Sequence, residues 1–346
     1  MPPDLLAAGA DAADDLLRVV FGLEKALDPL DPTDFLALSR RLAQSLAGVT
    51  HEEEAHALRR ALRALDVDWP NLSALQRDRV IATARAAFKN VPARVLPQLD
   101  EVFGGEVDKL VQAARVQTKR RFGLEVGSRL GEFDRRASDF LRRSQSHFIR
   151  GEYGRRAEAL SARARDIVAE GLETGLGRSD IAHDLATRLG ESAVSRSRDY
   201  WDLIASIFVG RARSYAQVFA YRDAGIERYV ITAVLDEVTS NGCRFLDGKV
   251  LTVSGAIEQF DRVEALADPE GIKDEQPFVR EGESGGTRFL FVERGGRRTR
   301  LAHVVESGVG TADARGQYSH VHADLAAAGI GPPPYHGHCR TTTVPA

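Results

Sequence analysis

The segment Tyr221-Arg222-Asp223-Ala224-Gly225-Ile226-Glu227-Arg228-Tyr229-Val230-Ile231-Thr232-Ala233-Val234-Leu235 decides the fold, because one periodicity stops in it and another begins. Upstream of it, Trp201, Ile204, Phe208, Ala212, Tyr215 and Phe219 recur at spacings of three and four, which is the apolar stripe of a helix with one buried face. Such a stripe reads as core and not as a cofactor box. Gly225 ends that helix, since glycine accepts the left-handed backbone of a helix C-terminus. Tyr229 to Leu235, β-branched and aromatic, then reads as a buried strand. The expected fold class is therefore a mainly α N-terminal body with a small α+β C-terminal domain.

Toward the N-terminus the helical pattern continues. Asp31-Pro32 supplies an N-cap followed by proline at the first helical position, and Phe35, Leu38, Leu42 and Leu46 fall on one face. Thr50 with Glu53 fits a capping box that opens a second helix. Pro70, Pro92 and Pro97 punctuate the run, and Gly104-Gly105 reads as a joint. Ser179 reads as the N-cap of a helix that buries Ile181, Leu185 and Leu189. These signals predict three parts: a helical module over 1–104, a long-helix, Arg-rich module over 105–225, and the α+β domain over 226–346.

The middle part carries Lys119-Arg120-Arg121, Arg135-Arg136, Arg142-Arg143 and Arg155-Arg156. Clustered Arg and Lys suit contact with DNA phosphates or an acidic partner, through counterion release. The interspersed Glu125, Glu132, Asp134, Asp139, Glu152 and Glu158 favour instead an exposed face balanced by local ion pairs.

Beyond the first strand, Gly248 to Val253 reads as another, and Phe289 to Glu293 pairs with Thr299 to Val305 as a hairpin across Gly295-Gly296. Asp268 to Gly286 reads as an exposed insertion. His320 and His322 would share one face of a strand and read as surface residues.

The 346 residues are 43 % apolar and 28 % charged, with a net charge of −3, which suits a folded multidomain chain and argues against a dedicated nucleic-acid binder. No run approaches the roughly 20 apolar residues that span a bilayer. Met1-Pro2-Pro3-Asp4 lacks the basic start of a signal peptide, so a cytoplasmic protein is expected. Two cysteines in so long a chain make no disulfide framework.

Both cysteines lie in information-rich blocks. The first runs from Asp236 through Ser240, Cys243, Leu246, Asp247 and Gly248; the second is Pro332-Pro333-Pro334-Tyr335-His336-Gly337-His338-Cys339-Arg340-Thr341. Thiolate and imidazole are the usual ligands of tetrahedral zinc, so Cys243, Cys339, His336 and one of His338 or Asp236 form a candidate set. A metal-free clasp fits as well and is favoured: His336 and Arg340 would tie the C-terminal segment beside Asp236 through Arg–carboxylate pairing. Gly248 would make a turn, and the three prolines would hold an extended approach to the clasp.

The two blocks resemble the phage head morphogenesis proteins, the MuF-like minor head proteins. The resemblance rests on Asp236, Cys243, Leu246, Gly248, His336, Cys339 and Arg340, and covers roughly the last 40 % of the chain together with the helical architecture before it. The chain departs from the cysteine-rich members at Ser240 and Thr341, where they carry cysteines, and at Gly337, where they carry proline. The resemblance implies a minor head protein that associates with the portal and other head proteins and assists capsid assembly and DNA packaging or ejection. Its place would be the bacterial host cytoplasm and then the phage head. A prophage-derived component of a gene transfer particle, injection device or effector system is the alternative. A Cys243–imidazole pair oriented by Asp236 is conceivable as a catalytic device, but no nucleophile elbow, phosphate loop or zinc-protease motif accompanies it, and no enzyme activity is expected.

Overall fold

The computed structural model describes residues 27–321 and 324–346, with the side chains of 194–196 left aside. Among the described residues five helices build the body: α1 (Pro32–Leu65), α2 (Ala74–Lys89), α3 (Val91–Phe122), α4 (Glu132–Glu173) and α5 (Arg178–Asp223). Asp31 caps α1 as its sequence predicts, accepting from the backbone N–H groups of Thr33 and Asp34, with Pro32 in the first turn. Phe35, Leu42 and Leu46 are buried and Leu38 packs against them.

Several expected breaks are absent. Thr50 opens no helix: it is buried inside α1, and its hydroxyl donates back to the Leu46 carbonyl, the alternative that a threonine inside a helix takes. Pro97 and the expected joint Gly104-Gly105 both lie within α3, where burial of Val95, Leu99, Phe103 and Val107 offsets the hydrogen bond that Pro97 cannot donate. Ser179 is not the cap of α5, a role held by Gly177, although Ile181, Leu185 and Leu189 are buried as predicted. The helix continues through the Trp201–Phe219 stripe without interruption. It ends as expected: Gly225 takes φ +71°, and the amides of Gly225 and Ile226 return to the carbonyls of Arg222 and Tyr221.

After Gly225 come β1 (Arg228–Thr232), α6 (Asn241–Leu246), β2 (Val250–Thr252), α7 (Val253–Glu264), α8 (Ile272–Glu275), β3 (Arg280–Ser284), β4 (Thr287–Arg294), β5 (Arg297–Glu306), β6 (Gln317–His320) and β7 (Thr342–Pro345). They form two antiparallel sheets, one ordered β2-β1-β7 and one ordered β3-β4-β5-β6. The β4–β5 hairpin turns at Gly295-Gly296, both with positive φ, as a two-residue turn between right-twisted strands requires. Asp268–Gly286 is not a mere insertion: it supplies α8, which buries Ile272, and β3, which pairs along β4. This region stays ordered because Ile272 and Val279 find apolar cover.

The mainly α body and the small α+β domain share one core. Phe140 of α4, Tyr215 and Phe219 of α5 and Phe260 of α7 form one aromatic cluster, Tyr215 stacked on Phe219 and Phe260 edge-on to the other three, with the Tyr215–Phe260 centroids 4.9 Å apart. Among the described residues no helix is long and apolar enough to cross a membrane.

Most of the basic residues of α3 and α4 find partners within the chain. Arg142 meets Asp108, Arg136 meets Asp261 and Glu264 of α7, and Arg156 meets Glu54 and Glu152. Arg121 and Arg135 donate to the carbonyls of Leu30 and Leu130, Arg143 to that of Asp139, and Arg120 is partnered too. Lys119 lies half-buried in the same last turn of α3.

Candidate metal centre

Helix α6 is short, and its N-cap is Ser240, whose hydroxyl accepts from the Cys243 amide. This cap satisfies a backbone donor in the first turn of the helix. It points Cys243, buried, at the C-terminal tail. The tail reaches the same place because β7 lies on β1 opposite β2, while polar side chains of α5 hold its carbonyls. Gln217 Nε2 and Tyr221 Oη each donate to the Thr343 carbonyl at 2.9 Å, and Arg213 donates to that of Thr341 at 2.5 Å.

Three side chains distant in sequence converge there. Cys243 Sγ is 3.1 Å from His336 Nε2 and 3.6 Å from Cys339 Sγ, and the three ligand atoms lie within 4.8 Å of one another. The His336 tautomer follows from its neighbour: Nδ1–H donates to the Gly337 carbonyl, which can only accept, so the Nε2 lone pair faces the sulfur. A chain of donors results, from Cys339 S–H to Cys243, from Cys243 S–H to Nε2, and from Nδ1–H to the carbonyl. The two thiols are driven apart in acidity. The hydrogen bond from Cys339 leads in lowering Cys243, against burial, with help from Thr341, Ser240 and Arg340; burial, then the proximity of Cys243, pushes Cys339 well above the usual thiol range.

The donor set fits a zinc ion. Zinc–sulfur and zinc–nitrogen bonds of about 2.3 and 2.0 Å at tetrahedral angles place two sulfurs roughly 3.8 Å apart and sulfur and nitrogen roughly 3.5 Å apart, so the Cys243–Cys339 and Cys243–His336 separations would need to open by only tenths of an ångström. The Nδ1–H···O=C contact is the outer-shell bond that orients a metal-binding imidazole.

The remaining predicted residues do not join the cluster. Arg340 Nη2 sits 2.7 Å from both carboxylate oxygens of Asp236, the Arg–carboxylate pair the clasp reading predicts. Burial pushes the Asp236 carboxyl up, but hydrogen bonds from Arg340 and Thr239 outweigh it and hold the group below the usual range. His336 does not share in that pair; it turns to Cys243. His338, with φ +58°, is exposed. Leu246 is buried, Asp247 accepts from the Ala233 amide and pairs with Arg315, and Gly248 (φ +77°) returns its amide to the Ile231 carbonyl, the predicted turn. The proline run is bent, not extended, and contains a cis Pro333–Pro334 peptide. His320 is exposed beside Lys249, whereas His322 lies outside the described residues.

Sequence reasoning missed Arg244 and the α5 trio. Arg244 is buried and donates to the carbonyls of Thr239, Asp236, Thr311 and Ala314, pinning two loops beside the cluster. Its signal was an arginine between Cys243 and Phe245 in an otherwise apolar turn. Arg213, Gln217 and Tyr221 follow at four-residue intervals, a polar stripe on a buried helix.

Compared with known proteins, the chain matches no family model, and no curated protein or solved structure is significantly similar to it.

Proposed function

We propose that this protein is a minor head protein of the phage head-morphogenesis kind. It is a non-enzymatic component that associates with the portal and assists capsid assembly and the packaging or ejection of DNA. The observation that carries the proposal is the meeting of the two blocks behind the resemblance: Cys243 and the His336–Cys339 tail form one buried cluster beside the Asp236–Arg340 pair. The cluster fastens the C-terminal tail onto α6, while β1 and side chains of α5 hold the residues that follow it, which is the work of a structural closure. Zinc is the ion this donor set favours, held by Cys243, His336 and Cys339. The helical body is the part offered to the portal, and the basic residues of α3 and α4, including Lys119, Arg120 and Arg121, are the ones nearest to a role with DNA.

The test is co-expression of the full chain with the portal protein of the phage or prophage that encodes it, followed by isolation of heads. A stable portal complex and a few copies per head are expected; a chain that joins neither sinks the reading, and one recovered with an injection or effector apparatus replaces it by the prophage-derived alternative. Native mass spectrometry of untagged protein reads the metal: one zinc per chain, removed by chelator, is expected, and a folded zinc-free chain leaves the hydrogen-bonded clasp.

A further inference from the structure

Beside the cluster the surface opens into a hollow of about 470 Å³, walled by Leu36 of α1, by Val234 and Val238, and by Cys243, His336 and His338. Two of the three candidate ligands therefore face this hollow. Zinc takes four donors, and among the described residues only three gather here. Both neighbours able to complete the set are otherwise placed. The carboxylate of Asp236 is held by Arg340 and by the Thr239 hydroxyl, and His338 stands exposed at the rim.

We infer, on the reading that the site takes zinc, that the described residues supply three ligands and no fourth, and that the remaining position opens into the hollow and accepts a neutral nitrogen donor of the imidazole class from another molecule. Two thiolates already balance the charge of a divalent zinc, so a neutral donor adds no net charge to a buried place. Leu36, Val234 and Val238 offer apolar walls to a flat ring. The hollow also far exceeds the roughly 30 Å³ share of one water molecule, so it has room for a ring. A histidine side chain on an assembly partner has this chemistry, and metal binding then becomes a docking contact.

The experiment uses the full-length protein loaded with cobalt(II), whose visible absorption reports its ligands, titrated with free imidazole while bound metal is measured at each step. A saturable spectral change at constant metal content is expected, and His338→Ala should show the same starting spectrum and the same change. A spectrum indifferent to imidazole overturns the inference. So does a starting spectrum altered in His338→Ala, because the chain would then close its own shell. Retained metal with either of those results leaves the zinc reading standing; failure to retain zinc or cobalt at all overturns both.

Discussion

At the residue scale the clasp has two halves of different chemistry, and acid separates them. The Asp236 carboxyl is held below its ordinary range in the folded protein, so it binds fewer protons there than in the unfolded chain. Its pairing with Arg340 therefore contributes stability above the unfolded carboxylate pKa of about 3.9, and that contribution is lost as pH falls through the lower folded value. Arg340→Met should lower stability at pH 7 by about 1 kcal/mol, the upper end for a partly exposed pair. In urea unfolding the gap between wild type and variant should narrow as pH falls below the unfolded carboxylate value. A gap that persists undiminished in acid would mean that Arg340 acts through packing instead of charge.

At the element scale the long helices are continuous where glycine and threonine suggest breaks. Gly105 lies in α3, exposed, and a Cβ built on it meets nothing within 4 Å. Since glycine in a helix interior costs about 0.5–1 kcal/mol relative to alanine, Gly105→Ala should stabilise the protein by that amount, read as a raised thermal midpoint. A loss of stability would show that the position must flex as a joint. Local signals misled at Thr50 for a related reason: a hydroxyl can bond forward as a cap or backward to the preceding turn, and the apolar face of α1 decides which.

At the scale of the whole molecule α5 joins body, site and tail. Arg213, fully buried on it, lies over the Phe35 ring of α1 and donates to the carbonyls of Pro29 and Thr341. Burial pushes its guanidinium down to about 10, against the charges of Cys339 and Asp28. Arg213→Met removes the donor from both carbonyls and should cost about 2–3 kcal/mol. Hydrogen exchange should then quicken at the β7 amides and near the start of α1 together. Exchange that quickens at one end alone would show that the residue does not couple them. The shared aromatic cluster of α4, α5 and α7 makes the same link in apolar form.

The sequence by itself determined where helix gives way to strand at Gly225, the capped start at Asp31, the hairpin at Gly295-Gly296 and the residue types of the clasp. Each rests on local periodicity or turn chemistry, which a stretch of ten or so residues carries within itself. Only the tertiary structure decided that His336 and not His338 meets Cys243, that His336 stays out of the Asp236–Arg340 pair, and that Arg213, Gln217 and Tyr221 hold the tail. Those contacts join residues about a hundred positions apart, 93 for Cys243–His336 and 96 for Cys243–Cys339. Such approaches are set by how α5 packs and how β7 registers on β1, and no local pattern encodes them.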